Sequence, residues 1–101
     1  MKYITLVCAA GMSTSLLVKK MQDVAKKEGK DVSIIAMSEA AFAGYKDPTD
    51  VLLLGPQVGY LLDSMKADYE PRGIKVTVID MIDYGRMDGK KVLDMALSMI
   101  S

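Results

Sequence analysis

The residue best suited to chemistry is Cys8, which is the only cysteine of the chain. It opens a run of small and hydroxylated residues that reads Cys8-Ala9-Ala10-Gly11-Met12-Ser13-Thr14-Ser15. Apolar residues precede this run and a helical pattern follows it, so we interpret it as a loop between a strand and a helix. A thiolate is a good nucleophile, and because the chain has no histidine, something other than an imidazole must activate it here.

The residues that follow Cys8 are suited to bind an anion. Small residues let the backbone wrap closely around a ligand, and Gly11 permits conformations that other residues resist. The amides of such a turn and the free amides of a helix start form an anion nest, and their field favours a thiolate. Ser13, Thr14 and Ser15 add hydroxyl groups, one of which is expected to cap the helix. The loop thus combines a nucleophile with a cradle for phosphoryl oxygens.

Four short apolar segments alternate with helical patterns along the chain. The predicted strands are residues 3–7, 32–37, 51–54 and 75–79. Four helices are predicted. The first starts at Ser15 and stops at Gly29, and the second runs from a cap at Ser38 to Phe42. The third follows Pro56 and continues to Tyr69, and the fourth spans residues 89–100. Continuous apolar strands that alternate with helices indicate a parallel sheet covered on both faces. We predict a single α/β domain, residues 1–101, with a four-stranded sheet of order 2-1-3-4 doubly wound with helices on both faces.

The composition excludes several classes of function. Thirteen basic and thirteen acidic residues give a net charge of zero, so we expect no nucleic-acid binding. One cysteine and no histidine rule out an internal disulfide, a Cys-x-x-Cys redox pair, the usual zinc sites and a Cys-His pair. No apolar run approaches the ~20 residues that span a bilayer. We expect a soluble, cytoplasmic monomer that needs no cofactor or metal.

Three groups of residues occur together in one known family. They are residues 8–17 (Cys-Ala-Ala-Gly-Met-Ser-Thr-Ser-Leu-Leu), residues 53–57 (Leu-Leu-Gly-Pro-Gln), and residues 78–80 (Val-Ile-Asp) with Tyr84-Gly85 and Asp88-Gly89. In these residues the chain resembles enzyme IIB, the B component of the bacterial phosphoenolpyruvate-dependent sugar phosphotransferase system, in its lactose/cellobiose/chitobiose group. The resemblance covers nearly the whole chain, although residues 42–50 carry no part of it.

The resemblance implies a function and a set of site residues. Cys8 is expected to become a phosphocysteine, with the phosphoryl group taken from a phosphohistidine of a IIA protein and passed to a sugar at the membrane IIC permease. The backbone amides expected to bind that group are those of Ala10, Gly11, Met12, Ser13, Thr14 and Ser15. We expect IIA and IIC to dock in turn around Met12, Gln57 and Tyr84, because both must reach one sulfur.

Other interpretations of the cysteine loop remain at this stage. A small cysteine-dependent phosphatase has the same strand-Cys-loop-helix form, but Thr14 holds the position of its arginine. A thiol redox protein or arsenate reductase lacks its resolving cysteine here. A flavodoxin-like nucleotide or flavin module needs a longer loop. Asp80, Asp83 and Arg86 are expected to be turn or solvated residues, although each follows the fourth strand closely enough to reach the loop.

Overall fold

Four parallel strands form one sheet in the structure, a computed structural model that describes residues 1–8 and 12–100, with the side chains of residues 12 and 13 outside the description. The strands are β1 (Lys2–Cys8), β2 (Val32–Ser38), β3 (Val51–Leu54) and β4 (Lys75–Val78). The helices are α1 (Met12–Lys27), α2 (Glu39–Ala43), α3 (Leu62–Tyr69), α4 (Met81–Gly85) and α5 (Gly89–Ile100). The observed order β2-β1-β3-β4, parallel throughout, confirms the predicted sheet.

Alternate residues of the central strands pack into two separate cores, one on each face of the sheet. Ile4 and Leu6 of β1 share a cluster with residues of α1 and α5. Val7 of the same strand belongs to a second cluster that holds Phe42 of α2 and Met65 of α3. All four residues of β3 are fully buried, which explains why its sequence is continuously apolar. The doubly wound architecture is therefore as predicted.

The ends of two helices differ from the prediction. Helix α1 begins at Met12, three residues before the predicted start at Ser15. Hydroxylated residues are readily accommodated in a first turn, where the backbone amides have no partner within the helix. The predicted helix after Pro56 is a 3₁₀ helix (Pro56–Leu61) followed by α3. The 3₁₀ helix is kinked at Val58, which is buried in the core and has the non-helical values φ −115° and ψ 23°.

Helix α4 is absent from the sequence-based prediction, which treated residues 80–85 as a strand end and a turn. Asp80 caps the helix, since its Oδ1 accepts a hydrogen bond from Ile82 N at 3.2 Å. Five residues are too few to show a helical repeat in a sequence. The helix nevertheless matters, because it carries Tyr84 back toward the carboxyl edge of the sheet.

Helices α1 and α5 approach closely at Gly89, the first residue of α5. A β-carbon placed on Gly89 would lie 2.7 Å from the carbonyl carbon of Lys20 and 2.8 Å from the amide nitrogen of Met21. Both are backbone atoms of α1, so any larger residue would push the two helices apart. This contact fixes the position of α1, whose first turn follows the cysteine loop.

Candidate functional site

Cys8 is the last residue of β1 and lies at the point where the strand order of the sheet reverses. β1 pairs with β2 on one side and with β3 on the other, so the connections after β1 and β2 leave in opposite directions. Ligands of open parallel sheets bind at such a point, outside the carboxyl ends of the strands. Cys8 is 4% exposed, and α1 begins after only three intervening residues. The thiol and the amino end of a helix thus share one edge of the sheet.

Gly55, the residue after β3, lies next to Cys8 at the carboxyl edge of the sheet. Its amide donates a hydrogen bond to the carbonyl of Val7 at 2.9 Å, which continues the pairing of β1 with β3. A β-carbon at this position would lie 3.4 Å from Cys8 Cβ and 3.1 Å from Gln57 Oε1. The absence of a side chain at Gly55 therefore lets the end of the Gln57 side chain lie against the glycine, near Cys8.

Thr14 joins the start of α1 to α4. Its side chain is fully buried, and its Oγ1 lies 3.2 Å from the hydroxyl of Tyr84, which is 7% exposed. Tyr84 reaches this position because its amide donates to the carbonyl of Asp80 at 2.9 Å, within the short helix that Asp80 caps. The pair bridges elements that follow β1 and β4, the strands on either side of β3. No sequence pattern predicts this bond, since 70 residues separate the partners.

The structure describes only some of the residues that were predicted to bind a phosphoryl group. Ala10 and Gly11 lie outside the described residues, as do the side chains of Met12 and Ser13. Thr14 and Ser15 are in the first turn of α1, where Thr14 is buried and Ser15 is exposed.

The three residues predicted to form a docking surface differ in how fully they are described and in how exposed they are. Met12 begins α1, while its side chain lies outside the description. Gln57 is exposed beside Cys8, whereas Tyr84 is mostly buried and presents only part of its ring. A depression of about 480 Å³ borders both of these residues, with walls formed by Pro56, Gln57, Met81, Tyr84, Gly85 and Met87.

Exposed apolar side chains surround the carboxyl edge of the sheet. We call them the apolar rim, which comprises Leu16 (50% exposed), Tyr60 (78%), Met81 (73%) and Ile82 (62%). They come from the segments that follow β1, β3 and β4, so they lie at the same edge as Cys8. A group of large exposed apolar residues is typical of surfaces that contact another molecule. The exposure of Leu16, Met81 and Ile82 could not be predicted, because apolar residues in a sequence are expected inside.

The charged residues after β4 have structural partners. Asp80 caps α4, and Asp83 Oδ1 lies 3.3 Å from the ammonium group of Lys91 on α5. Arg86 is exposed and closes the end of α4 through its amide, which donates to the carbonyl of Ile82 at 3.0 Å. The two carboxylates therefore hold α4 in place.

Another depression, of about 390 Å³, lies at the opposite end of the sheet. Thr49 and Ile74, which precede β3 and β4, form part of its wall together with the rings of Phe42, Tyr45 and Tyr69. Phe42 and Tyr69 pack edge to face with ring centroids 5.0 Å apart. This depression is remote from Cys8 and belongs to the packing of α2 and α3.

Fold and site together define a doubly wound α/β protein with a cysteine and a helix start at the switch point of its sheet. The sequence model of one family, "PTS system, Lactose/Cellobiose specific IIB subunit", matches residues 3–95. The chain therefore belongs to the lactose/cellobiose-specific IIB subunits of the phosphotransferase system, and is a sugar-specific IIB component and a phosphotransferase in that general sense. This confirms the resemblance drawn from the sequence.

Curated relatives match along nearly the full chain. The "PTS system galactose-specific EIIB component" of Lactococcus lactis subsp. cremoris is 49% identical over 105 residues, covering 99% of this chain and 97% of that protein. The "PTS system cellobiose-specific EIIB component" of Lactococcus lactis subsp. lactis has the same identity and coverage. The "PTS system lactose-specific EIICB component" of Streptococcus mutans is 29% identical over 92 residues, which are 89% of this chain and 16% of that protein.

Two solved structures share the fold. The cellobiose-specific phosphotransferase IIB component from Borrelia burgdorferi has a TM-score of 0.79 and 38% identity, with 98% of this chain and 91% of that chain covered. The lactose-specific IIB component domain from Streptococcus pneumoniae has a TM-score of 0.86 at 21% identity, with 96% and 95% covered, and supports the fold alone. No helix within residues 1–8 and 12–100 is both long and apolar enough to cross a membrane.

Proposed function

We propose that this chain is a phosphoryl carrier, in which residues 1–101 form one domain that works as a monomer in the cytoplasm. Cys8 accepts a phosphoryl group from a phosphohistidine of a IIA protein and passes it to a sugar during uptake through a membrane IIC subunit. The observation that carries the proposal is the position of Cys8, at the end of β1 and at the switch point of the sheet, with only three residues between it and the amino end of α1. Membership of the IIB family supplies the reaction class.

The first step moves the phosphoryl group onto sulfur. The Cys8 thiolate attacks phosphorus, the N–P bond of the phosphohistidine breaks, and the imidazole leaves with its electron pair and takes up a proton. The backbone amides from Ala10 to Ser15, with the Ser13 and Thr14 hydroxyls, would hold the phosphoryl oxygens as their charge grows. The loop thereby replaces the cations that other phosphoryl-transfer enzymes bring to the same oxygens.

The second step moves the group from sulfur to the sugar. A sugar hydroxyl held by IIC attacks phosphorus, the S–P bond breaks, and Cys8 leaves as a thiolate, while the hydroxyl proton passes to a base of the IIC site. The chain then returns to its starting form without a metal, a nucleotide or a histidine of its own. Thr14 stands where a cysteine phosphatase has its arginine, so the loop lacks the cation that would speed attack by water.

Both partners must approach the same edge of the sheet. The proposed docking surface is the one predicted around Met12, Gln57 and Tyr84, extended by the apolar rim, whose exposed side chains suit a modest, transient contact with an apolar centre. The EIICB relative from Streptococcus mutans supports IIC as a partner, because its name joins a C and a B component in one chain. A covalent union of this kind requires the two components to work together.

We infer that IIC, and not this chain, selects the sugar. Two relatives of equal identity to this chain are named for different sugars, galactose and cellobiose. A carrier that binds only the phosphoryl group needs no pocket for a free sugar.

The test follows the phosphoryl group through both steps. Purified chain is mixed with phosphorylated IIA protein, re-isolated, and then added to membranes that contain the matching IIC subunit and its sugar. The proposal predicts one phosphoryl group per chain after the first step and its appearance on the sugar after the second. A chain that gains none from IIA, or that keeps its phosphoryl group when sugar and IIC are present, contradicts the carrier role.

A further inference from the structure

The Tyr84 hydroxyl, which lies 3.2 Å from the Thr14 hydroxyl, has no role in the transfer described so far. We propose that Tyr84 is a positioning residue for the anion carried by Cys8, and that it acts through the Thr14 hydroxyl, which it orients. The proposal rests on the proposed function in one respect, namely that Thr14 faces that anion. A tyrosine that lies 70 residues from Thr14 in the chain thus decides where the Thr14 hydroxyl proton points.

The two hydroxyls of the pair share only two protons. Each hydroxyl has one proton and can both donate and accept, and the two oxygens lie 3.2 Å apart in a buried setting. If Thr14 donates to Tyr84, its proton is used inside the pair. If Tyr84 donates to Thr14, the Thr14 proton remains for another acceptor. A phenol is the more acidic hydroxyl and hence the better donor, so the second arrangement is favoured as soon as an anion stands at Cys8.

Cooperativity strengthens the same arrangement. A hydroxyl that accepts one hydrogen bond becomes a better donor in the next, and a chain from Tyr84 through Thr14 to an anion is of this kind. Thr14 has no exposed surface, so bulk water does not compete for its hydroxyl. A hydrogen bond donated to a charged group is stronger than one between neutral groups.

The tyrosine is held firmly enough to act in this way. The capped end of α4 fixes its backbone, the amide of Met87 donates to the Tyr84 carbonyl at 3.1 Å, and Asp83 ties α4 to Lys91 of α5 at 3.3 Å. The ring packs in the same core cluster as α1 and α5. A fixed phenol imposes one direction on a threonine hydroxyl that would otherwise rotate among three staggered positions.

The test is a double-mutant cycle of Thr14→Val and Tyr84→Phe, with two readouts. The first is the rate at which the chain accepts a phosphoryl group from phosphorylated IIA. Thr14→Val loses a hydrogen bond to a charged group, so its rate should be about tenfold lower than that of the parent chain. In Tyr84→Phe the Thr14 hydroxyl remains but is misoriented, so the rate should be about threefold lower. The double variant should equal Thr14→Val alone, because Tyr84 acts only through the hydroxyl that is already gone.

The second readout needs no phosphoryl transfer. Cys8 is the only thiol, so alkylation reports on this site alone. Iodoacetate carries a carboxylate and iodoacetamide does not, so the ratio of their rate constants at one pH isolates anion recognition from the reactivity and exposure of the thiol. We expect the ratio to fall about threefold in Tyr84→Phe and not to fall further when that change is added to Thr14→Val.

Controls separate positioning from packing. Thr14→Ser keeps a hydroxyl and should restore both readouts, and its response to Tyr84→Phe should match that of the parent chain. Tyr69→Phe removes a phenol from the far core and should change neither readout. A parent chain that gains no phosphoryl group would refute the proposed function, while the alkylation ratio would still decide on Tyr84. An unchanged ratio in Tyr84→Phe, or losses that multiply in the double variant, would overturn the proposal.

Discussion

The contact between α1 and α5 at Gly89 gives the sharpest prediction of stability. In Gly89→Ala the new β-carbon would lie 2.7–2.9 Å from three backbone atoms of Lys20 and Met21, whereas unstrained carbon contacts lie about 3.5–4.0 Å apart. Backbone atoms cannot rotate away as a side chain can, so the helices must separate by about 1 Å. Overpacking of this kind costs typically about 1–3 kcal/mol.

We therefore expect Gly89→Ala to lower the free energy of unfolding by about 2 kcal/mol. For a domain of this size that corresponds to a fall in Tm of about 10 °C, measured by circular dichroism or calorimetry. Gly44→Ala is the matched control, because a β-carbon there meets only the Ala41 carbonyl oxygen, at 4.0 Å. Its stability should change by less than about 0.5 kcal/mol.

The same variant tests how α1 is held at the site. If α5 positions α1, and α1 positions the phosphoryl loop, Gly89→Ala should also slow phosphoryl acceptance at temperatures where the chain is still folded. A Gly89→Ala chain that melts with the parent would refute the close packing of α1 on α5. If Gly89→Ala kept its stability and Gly44→Ala lost much of its free energy of unfolding, β-carbon contact distances would not predict the stability of these variants.

The remaining predictions concern the site. Gly55→Ala should leave stability within about 1 kcal/mol of the parent, because its nearest neighbour is the mobile end of Gln57 at 3.1 Å, yet it should slow acceptance by displacing that amide; a normal rate would mean that the space beside Cys8 is not used. Gly11→Val should reduce acceptance more than its melting curve explains, since a branched residue would disturb the backbone cradle that the sequence predicts there; equal phosphorylation would make Gly11 a spacer. Ile82→Asp should weaken the binding of IIA in a titration followed by amide shifts, with no change in melting, and undiminished affinity would remove the apolar rim from the interface. The isolated phosphoprotein should hydrolyse slowly and release little nitrophenol from an aryl phosphate, whereas rapid turnover without a partner would restore the phosphatase interpretation.

The sheet could be predicted from the sequence because its strands are buried on both faces. A run such as residues 51–54, apolar at every position, has few alternatives, and right-handed crossovers then restrict the order of the strands. The position of Cys8 at the carboxyl edge followed directly from that order. These features depend on patterns that are local in the chain or on rules that hold for all parallel sheets.

The features that the sequence did not disclose depend on contacts between distant segments. The kink at Val58, inside the 3₁₀ helix Pro56–Leu61, arises where burial of Val58 outweighs regular helix geometry. The Thr14–Tyr84 bond needs two side chains from different crossovers to meet, and neither residue type signals it. The exposure of Met81 and Ile82 is likewise a property of the assembled edge, since apolar residues next to a strand are most often buried.

The most direct test of the central claim is to identify the atom that carries the phosphoryl group. The chain is incubated with phosphorylated IIA, and the modified residue is located by fragmentation mass spectrometry under conditions that preserve thiophosphate esters, with Cys8→Ser as the matched variant. We expect one phosphoryl group on Cys8 of the parent chain and none on the folded Cys8→Ser variant. A group on Ser13, Thr14 or Ser15, or a Cys8→Ser variant labelled at the normal rate, would contradict it.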